Sequence, residues 1–227
     1  MRRDQKSLIL AALVAFLLWA VPLLRPIGLP LIYLNTHIHE LSHALMALAT
    51  GGQVRMIQVF ADGSGVTPVA GGSLLLTASA GYVGSTLVGA LILAVSRTPK
   101  SAKQMLWLTF GFLLVSMVVF VRGDLVGIGS GIVWIAALAV MARNLKGEHA
   151  VFAAQFLGLE LALTSLQAFL VLLKITTQSE QHSDALILEQ VSGIPAFVWA
   201  TGWSLLGVVA IVLSLVSAWK PPARKQG

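Results

Sequence analysis

Thr36-His37-Ile38-His39-Glu40-Leu41-Ser42-His43-Ala44 sets three imidazoles and a carboxylate within one stretch, 27–50, that is otherwise apolar enough to cross a bilayer. An acid at mid-bilayer costs at least about 2.5–3.5 kcal/mol even on lenient scales, so the cluster needs a physical reason. On a helix, residues i and i+4 lie about 40° apart around the axis. His39 and His43 therefore point the same way and can grip one ion. His37 lies about 200° around from His39, which suits a hydrogen bond behind the ligands or a polar contact with another helix.

His39-Glu40-x-x-His43 is the H-E-x-x-H pattern of zinc hydrolases. Glu40 follows the first ligand and can face a water on the metal. Zinc lowers the pKa of such a water to about 7, and Glu40 would take its proton and pass it to a leaving amine. With 5 His and 9 acids in the chain, chance supplies on the order of 0.004 patterns of His, acid and His at this spacing. The alternative, a buried polar cluster that merely pairs helices, is the weaker account.

A catalytic zinc takes three protein ligands and keeps one position open. The soluble extension of the motif would need Gly and His at positions held by Met46 and Ala49, so the third ligand comes from elsewhere. Two candidates remain open on the residues alone. Asp184 lies in the longest polar stretch, 176–195, with Glu180, His182 and Glu189. Glu160 lies at mid-span in an apolar segment, where an acid wants a partner. Glu180 and His182 read as solvated loop residues, and Asp124 as an interfacial ion pair with Arg122.

Outward from the motif, the 227 residues are 57% hydrophobic and only 11% charged, with a mean hydropathy of +0.87. A soluble domain carries roughly 25% charged residues, so this chain cannot cover a water-facing surface. Seven stretches are apolar enough to span: 7–24, 27–50, 73–96, 104–121, 125–141, 150–173 and 196–219. The expected fold is an all-α polytopic membrane protein: about six to seven transmembrane helices around a buried metal site, in one domain over 1–227. Zero cysteines exclude a disulfide framework and any thiolate ligand. The net charge of +6 sits at chain ends and in short loops. No basic groove with interleaved aromatics accompanies it, which argues against nucleic acid.

A short β-hairpin is expected at 53–70, after the second helix. Val54 to Phe60 is β-prone, Asp62-Gly63 is a turn signal, and Val66-Thr67-Pro68-Val69 is a second extended run. Strict alternation of seven spans puts Arg2, Arg3, Lys6, Arg55, Arg122 and Lys174 on one side. It leaves nine cations on the other, a weak preference for that second side as cytoplasmic.

The chain resembles the site-2 protease family of intramembrane zinc metalloproteases, most closely its small multi-pass bacterial "B-like" members. The likeness is carried by His39-Glu40-Leu41-Ser42-His43-Ala44 with Thr50-Gly51-Gly52, and by Asp62-Gly63-Ser64-Gly65-Val66-Thr67. It continues through Ala80-Gly81-Tyr82-Val83-Gly84-Ser85 to Ser183-Asp184-Ala185, Gly193-Ile194-Pro195 and Trp199. The resemblance implies a zinc sunk below the membrane surface near a hairpin, and hydrolysis of a peptide bond in or beside a transmembrane segment of a membrane-protein substrate. It implies one zinc held by His39, His43 and Asp184, and Glu40 as general base. Ser183-Asp184-Ala185 departs from the Leu-Asp-Gly setting of better-known members. A multi-pass protein of a cell membrane, bacterial, with its site facing the cytoplasm, completes the expectation.

Two more roles follow from the residues. Gly81 and Gly84 allow close helix approach near the site. Val54, Met56 and Gln58 could pair with an unwound substrate segment as an added strand. The rival functions are a metal transporter, with His and acidic groups as a transit site, and a non-catalytic metal-containing scaffold.

Overall fold

A computed structural model describes residues 1–164, 166 and 183–220. Helix α1 (Arg3–Ala20) is followed by a short 3-10 turn (Pro22–Leu24) and the long helix α2 (Arg25–Ala49). Next come four two-residue strands, β1 (Gln53–Val54), β2 (Gln58–Val59), β3 (Gly65–Val66) and β4 (Val69–Ala70). Helices α3 (Leu74–Val95), α4 (Pro99–Val119), α5 (Leu125–Asn144) and α6 (Gly147–Ala162) follow, then α7 (Asp184–Ser192) and α8 (Ala196–Trp219).

Among the described residues, α3, α4, α5 and α8 are long and apolar enough to cross a membrane. The described part of each of the seven expected spans falls on a helix, but α1, α2 and the 16-residue α6 do not join that set of four. Arg3, Asp4 and Lys6 charge the first turns of α1, and Asn35, Glu40 and three histidines lower the hydropathy of α2. Residues 167–173 of the sixth expected span lie outside the described residues.

The polar residues of α2 are tolerable because the helix is packed inside the bundle. Leu34 and Ile38 join Ile92 of α3, Leu106 and Leu113 of α4, Leu138 of α5 and Leu161 of α6 in one buried core. The Trp134 indole donates to the Pro30 carbonyl at 2.6 Å, which satisfies its one polar atom within that core.

The hairpin forms as expected and is antiparallel, with Val54 opposite Val69 and Gln58 opposite Val66. Its turn closes over Asp62, whose carboxylate accepts from the Ser64 amide and hydroxyl. Those bonds hold the Asp62 carboxyl below its ordinary pKa. The tip then folds back onto α2. The Tyr33 hydroxyl donates to the Ala61 carbonyl at 2.7 Å, and the Thr36 hydroxyl to the Gly63 carbonyl at 2.6 Å. From Thr50 to Tyr33 this return covers roughly 25 Å of helix. Along its other edge, the Ile57 amide donates to Phe120 and the Ile57 carbonyl accepts from Arg122.

Three expectations are corrected. The stretch 176–195 is not all loop, because α7 occupies its described half. Ser183 caps α7 by accepting from the Leu186 amide, and Gly193 ends it in the left-handed region at φ +71°. Ala185 and Leu188 bury it against Ala78 of α3 and Ala196, Ala200 and Trp203 of α8.

The amino terminus is not at the hairpin end. The Arg2 guanidinium donates to the carbonyls of Trp219 and Lys220 at 2.6 and 3.0 Å, and Arg3 pairs with Glu148 at 3.2 Å. Arg97 donates to Ser217 and Lys220 at the same place. The last carbonyls of a helix have no partner within it, and arginine forks supply one here. The start of α1 therefore shares an end of the bundle with the close of α8, which strict alternation of seven spans does not allow. Asp124 is likewise not an ion-pair partner for Arg122: it caps α5, accepting from the Val126 and Gly127 amides.

Candidate metal centre

The motif turn of α2 faces α3 and the first residue of α7. His39 Nε2 and His43 Nε2 lie 3.0 Å apart, and Asp184 Oδ2 lies 3.2 Å from the first and 3.3 Å from the second. Among the described residues, these three form the one group of His and acidic side chains close enough to share an ion. The i, i+4 spacing brings the imidazoles together, and the Ser183 cap fixes where α7 begins and so where Asp184 sits.

The triangle fits a tetrahedral cation. Bonds of about 2.0–2.1 Å at tetrahedral angles give ligand-to-ligand edges of about 3.3–3.4 Å, close to the three distances here. His43 Nδ1 lies 2.6 Å from the Thr77 carbonyl. Donating there assigns its proton to Nδ1 and leaves a lone pair on Nε2, the tautomer a metal requires. Space is provided by Gly81, where an added Cβ would run into both Nε2 atoms and His39 Cε1. A side chain at 81 would press on the ligand nitrogens themselves, so glycine leaves the ligand rings their positions. Three lone-pair donors so placed suit zinc, which takes His nitrogen and Asp oxygen.

Glu40, 4% exposed, sits one residue along from His39 and turns toward the hairpin. The Thr67 hydroxyl lies 2.6 Å from Glu40 Oε2 and 3.1 Å from the Glu40 carbonyl. Behind His39, the Tyr82 ring packs edge-on at 4.6 Å and stacks on Trp203 at 5.5 Å.

The other residues singled out in the sequence fall elsewhere. His37 is fully buried with Nε2 near the Gly127 carbonyl and the Ser130 hydroxyl of α5, at 3.1 and 3.2 Å. It serves as a contact between helices. Glu160 is buried in α6 and is not in the group with the His pair. Gly84 of α3 faces Ser42, so it is a glycine that lets α3 approach the motif helix closely. Beside Val54, Met56 and Gln58, the outer edge of the strand is already paired within the chain at Ile57. Glu180 and His182 lie outside the described residues. Thr77, Thr67 and Tyr82 were not singled out: each acts across space, and only Thr67 and Tyr82 lie within the family-like stretches.

The model of the peptidase M50B-like family matches residues 8–214. The chain belongs to that family. The match runs from α1 into α8 and takes in every residue of the centre, so the resemblance to site-2 proteases holds. Comparisons with curated proteins and with solved structures find no match.

Proposed function

We propose that this protein is an intramembrane zinc metalloendopeptidase that cleaves a membrane-protein substrate in or near a transmembrane segment. The observation that carries the reading is the convergence of His39, His43 and Asp184 around the space beside Gly81, with Glu40 on the adjoining face of the same helix turn. His39 Nε2, His43 Nε2 and Asp184 Oδ2 would hold the zinc. When bound, zinc supplies a Lewis acid that polarises a carbonyl and makes water acidic enough to attack at neutral pH.

Glu40 acts as the general base: its carboxylate takes a proton from the attacking water and returns it to the leaving amine. Thr77 keeps His43 in the ligating tautomer through Nδ1. Tyr82, backed by Trp203, packs beside His39 and limits the room in which its ring can turn. A metal transporter has less support, because a transit path needs ligands strung through several helices. A metal-holding scaffold would have no use for a carboxylate placed like Glu40.

The test is Glu40→Gln, co-expressed with a single-span membrane protein whose apolar segment is interrupted by Gly and Pro. General-base loss costs about 10²–10⁴-fold in rate. Cleavage is expected to vanish at that scale while the purified variant keeps one zinc per chain. Undiminished cleavage by Glu40→Gln contradicts the reading.

A further inference from the structure

We propose that Thr67, carried by the hairpin, is a positioning residue that sets the Glu40 carboxylate for proton transfer. The inference rests on reading Glu40 as the base. A glutamate side chain turns about three bonds, and nothing on α2 itself fixes its carboxylate. The hairpin does so from two sides. On one, the Thr67 hydroxyl meets Glu40 Oε2 at 2.6 Å; a hydroxyl has one proton to give, and the shorter, charge-assisted bond takes it over the carbonyl at 3.1 Å. On the other, Gly65 passes so close that an added Cβ would lie 2.6 Å from Glu40 Oε1 and 2.7 Å from Glu40 Cγ and Thr36 Cγ2. The carboxylate sits between a donor and a bare stretch of backbone.

The clamp can hold its setting because the hairpin is tied to helices at three places. Its tip is bound to α2 through Tyr33 and Thr36, and its first strand to the segment after α4 through Ile57. Its base is bound at Thr50, whose hydroxyl accepts from the Ser73 amide at 3.0 Å. Residues 65–67 thus deliver one hydroxyl to one carboxylate oxygen from a fixed frame. Misplacing a reacting group by about 1 Å can cost 10²-fold in rate, which is the scale at stake.

The test compares Thr67→Val and Thr67→Ser with the parent and with Glu40→Gln, in vesicles of phosphatidylethanolamine and phosphatidylglycerol. The probe is an internally quenched single-span peptide with a Gly-Pro break. Thr67→Val should lower kcat about 10- to 100-fold with KM within about twofold. Its zinc content and thermal midpoint should match the parent, and Thr67→Ser should recover to within about threefold. If Thr67→Val does not fold, Thr67→Ala carries the same comparison. Unchanged kcat in the hydroxyl-less variant overturns the proposal. So does a loss of kcat that travels with lost zinc or a lower midpoint, or a serine variant that does not recover. Should Glu40→Gln still cleave, the base reading fails on its own, and the clamp fails with it.

Discussion

The two ends of the bundle both gather polar side chains, and they solve the problem differently. At the end where α1 begins and α8 closes, donors meet acceptors: Arg2 and Arg97 donate to helix carbonyls, and Arg3 pairs with Glu148. At the end carrying the hairpin and α7, three acceptor atoms from His39, His43 and Asp184 face one another across 3.0–3.3 Å. Lone pairs brought together in this way offer a cation a place between them. The lesson is that polarity inside an apolar chain does not by itself mark a site; what marks it is an arrangement that its own residues leave short of positive charge.

The sharpest break of this contrast is Gly81→Ala. The added methyl collides with both Nε2 atoms and forces the ligand rings to move, so bound zinc should fall from one per chain to a few per cent, read by elemental analysis of the purified protein. Retention of a full equivalent would place the ion elsewhere. At the opposite end, Arg2→Ala should leave zinc untouched. It should lower stability by only about 0.3–1 kcal/mol, the usual worth of a cation at a helix carboxyl end, read as a small drop in thermal midpoint. A loss of zinc there would erase the distinction between the two ends.

Much of the centre was legible because it is local. His39 and His43 are four residues apart, so helix geometry alone pairs them. Asp62-Gly63 closes a hairpin by turn chemistry that neighbouring residues dictate. What lay beyond the sequence reading depends on distance along the chain. Thr67 reaches Glu40 from 27 residues away and Thr77 reaches His43 from 34, and no periodicity encodes such meetings. Helix α7 was readable in part: Ser183 and Gly193 are cap signals flanking Ala185 and Leu188, but the surrounding polar residues made the stretch look like loop. The amino terminus was misplaced because alternation assumes that every apolar stretch crosses, whereas the contact of Arg2 with Trp219 brings the start of α1 to the close of α8. Glu160 stayed a rival to Asp184 on the residues alone, since an acid's cost of burial says nothing about which groups it will face.

The central claim is that Asp184, with the two histidines, completes the metal's protein ligands. Zinc-edge X-ray absorption on the parent, Asp184→Asn and Glu160→Gln tests it most directly. The parent and Glu160→Gln should share a shell of nitrogen and oxygen only, at about 2.0–2.1 Å with two imidazoles, while Asp184→Asn should lose a carboxylate oxygen or the zinc itself. An unaltered shell in Asp184→Asn, or a shell altered in Glu160→Gln instead, would contradict it.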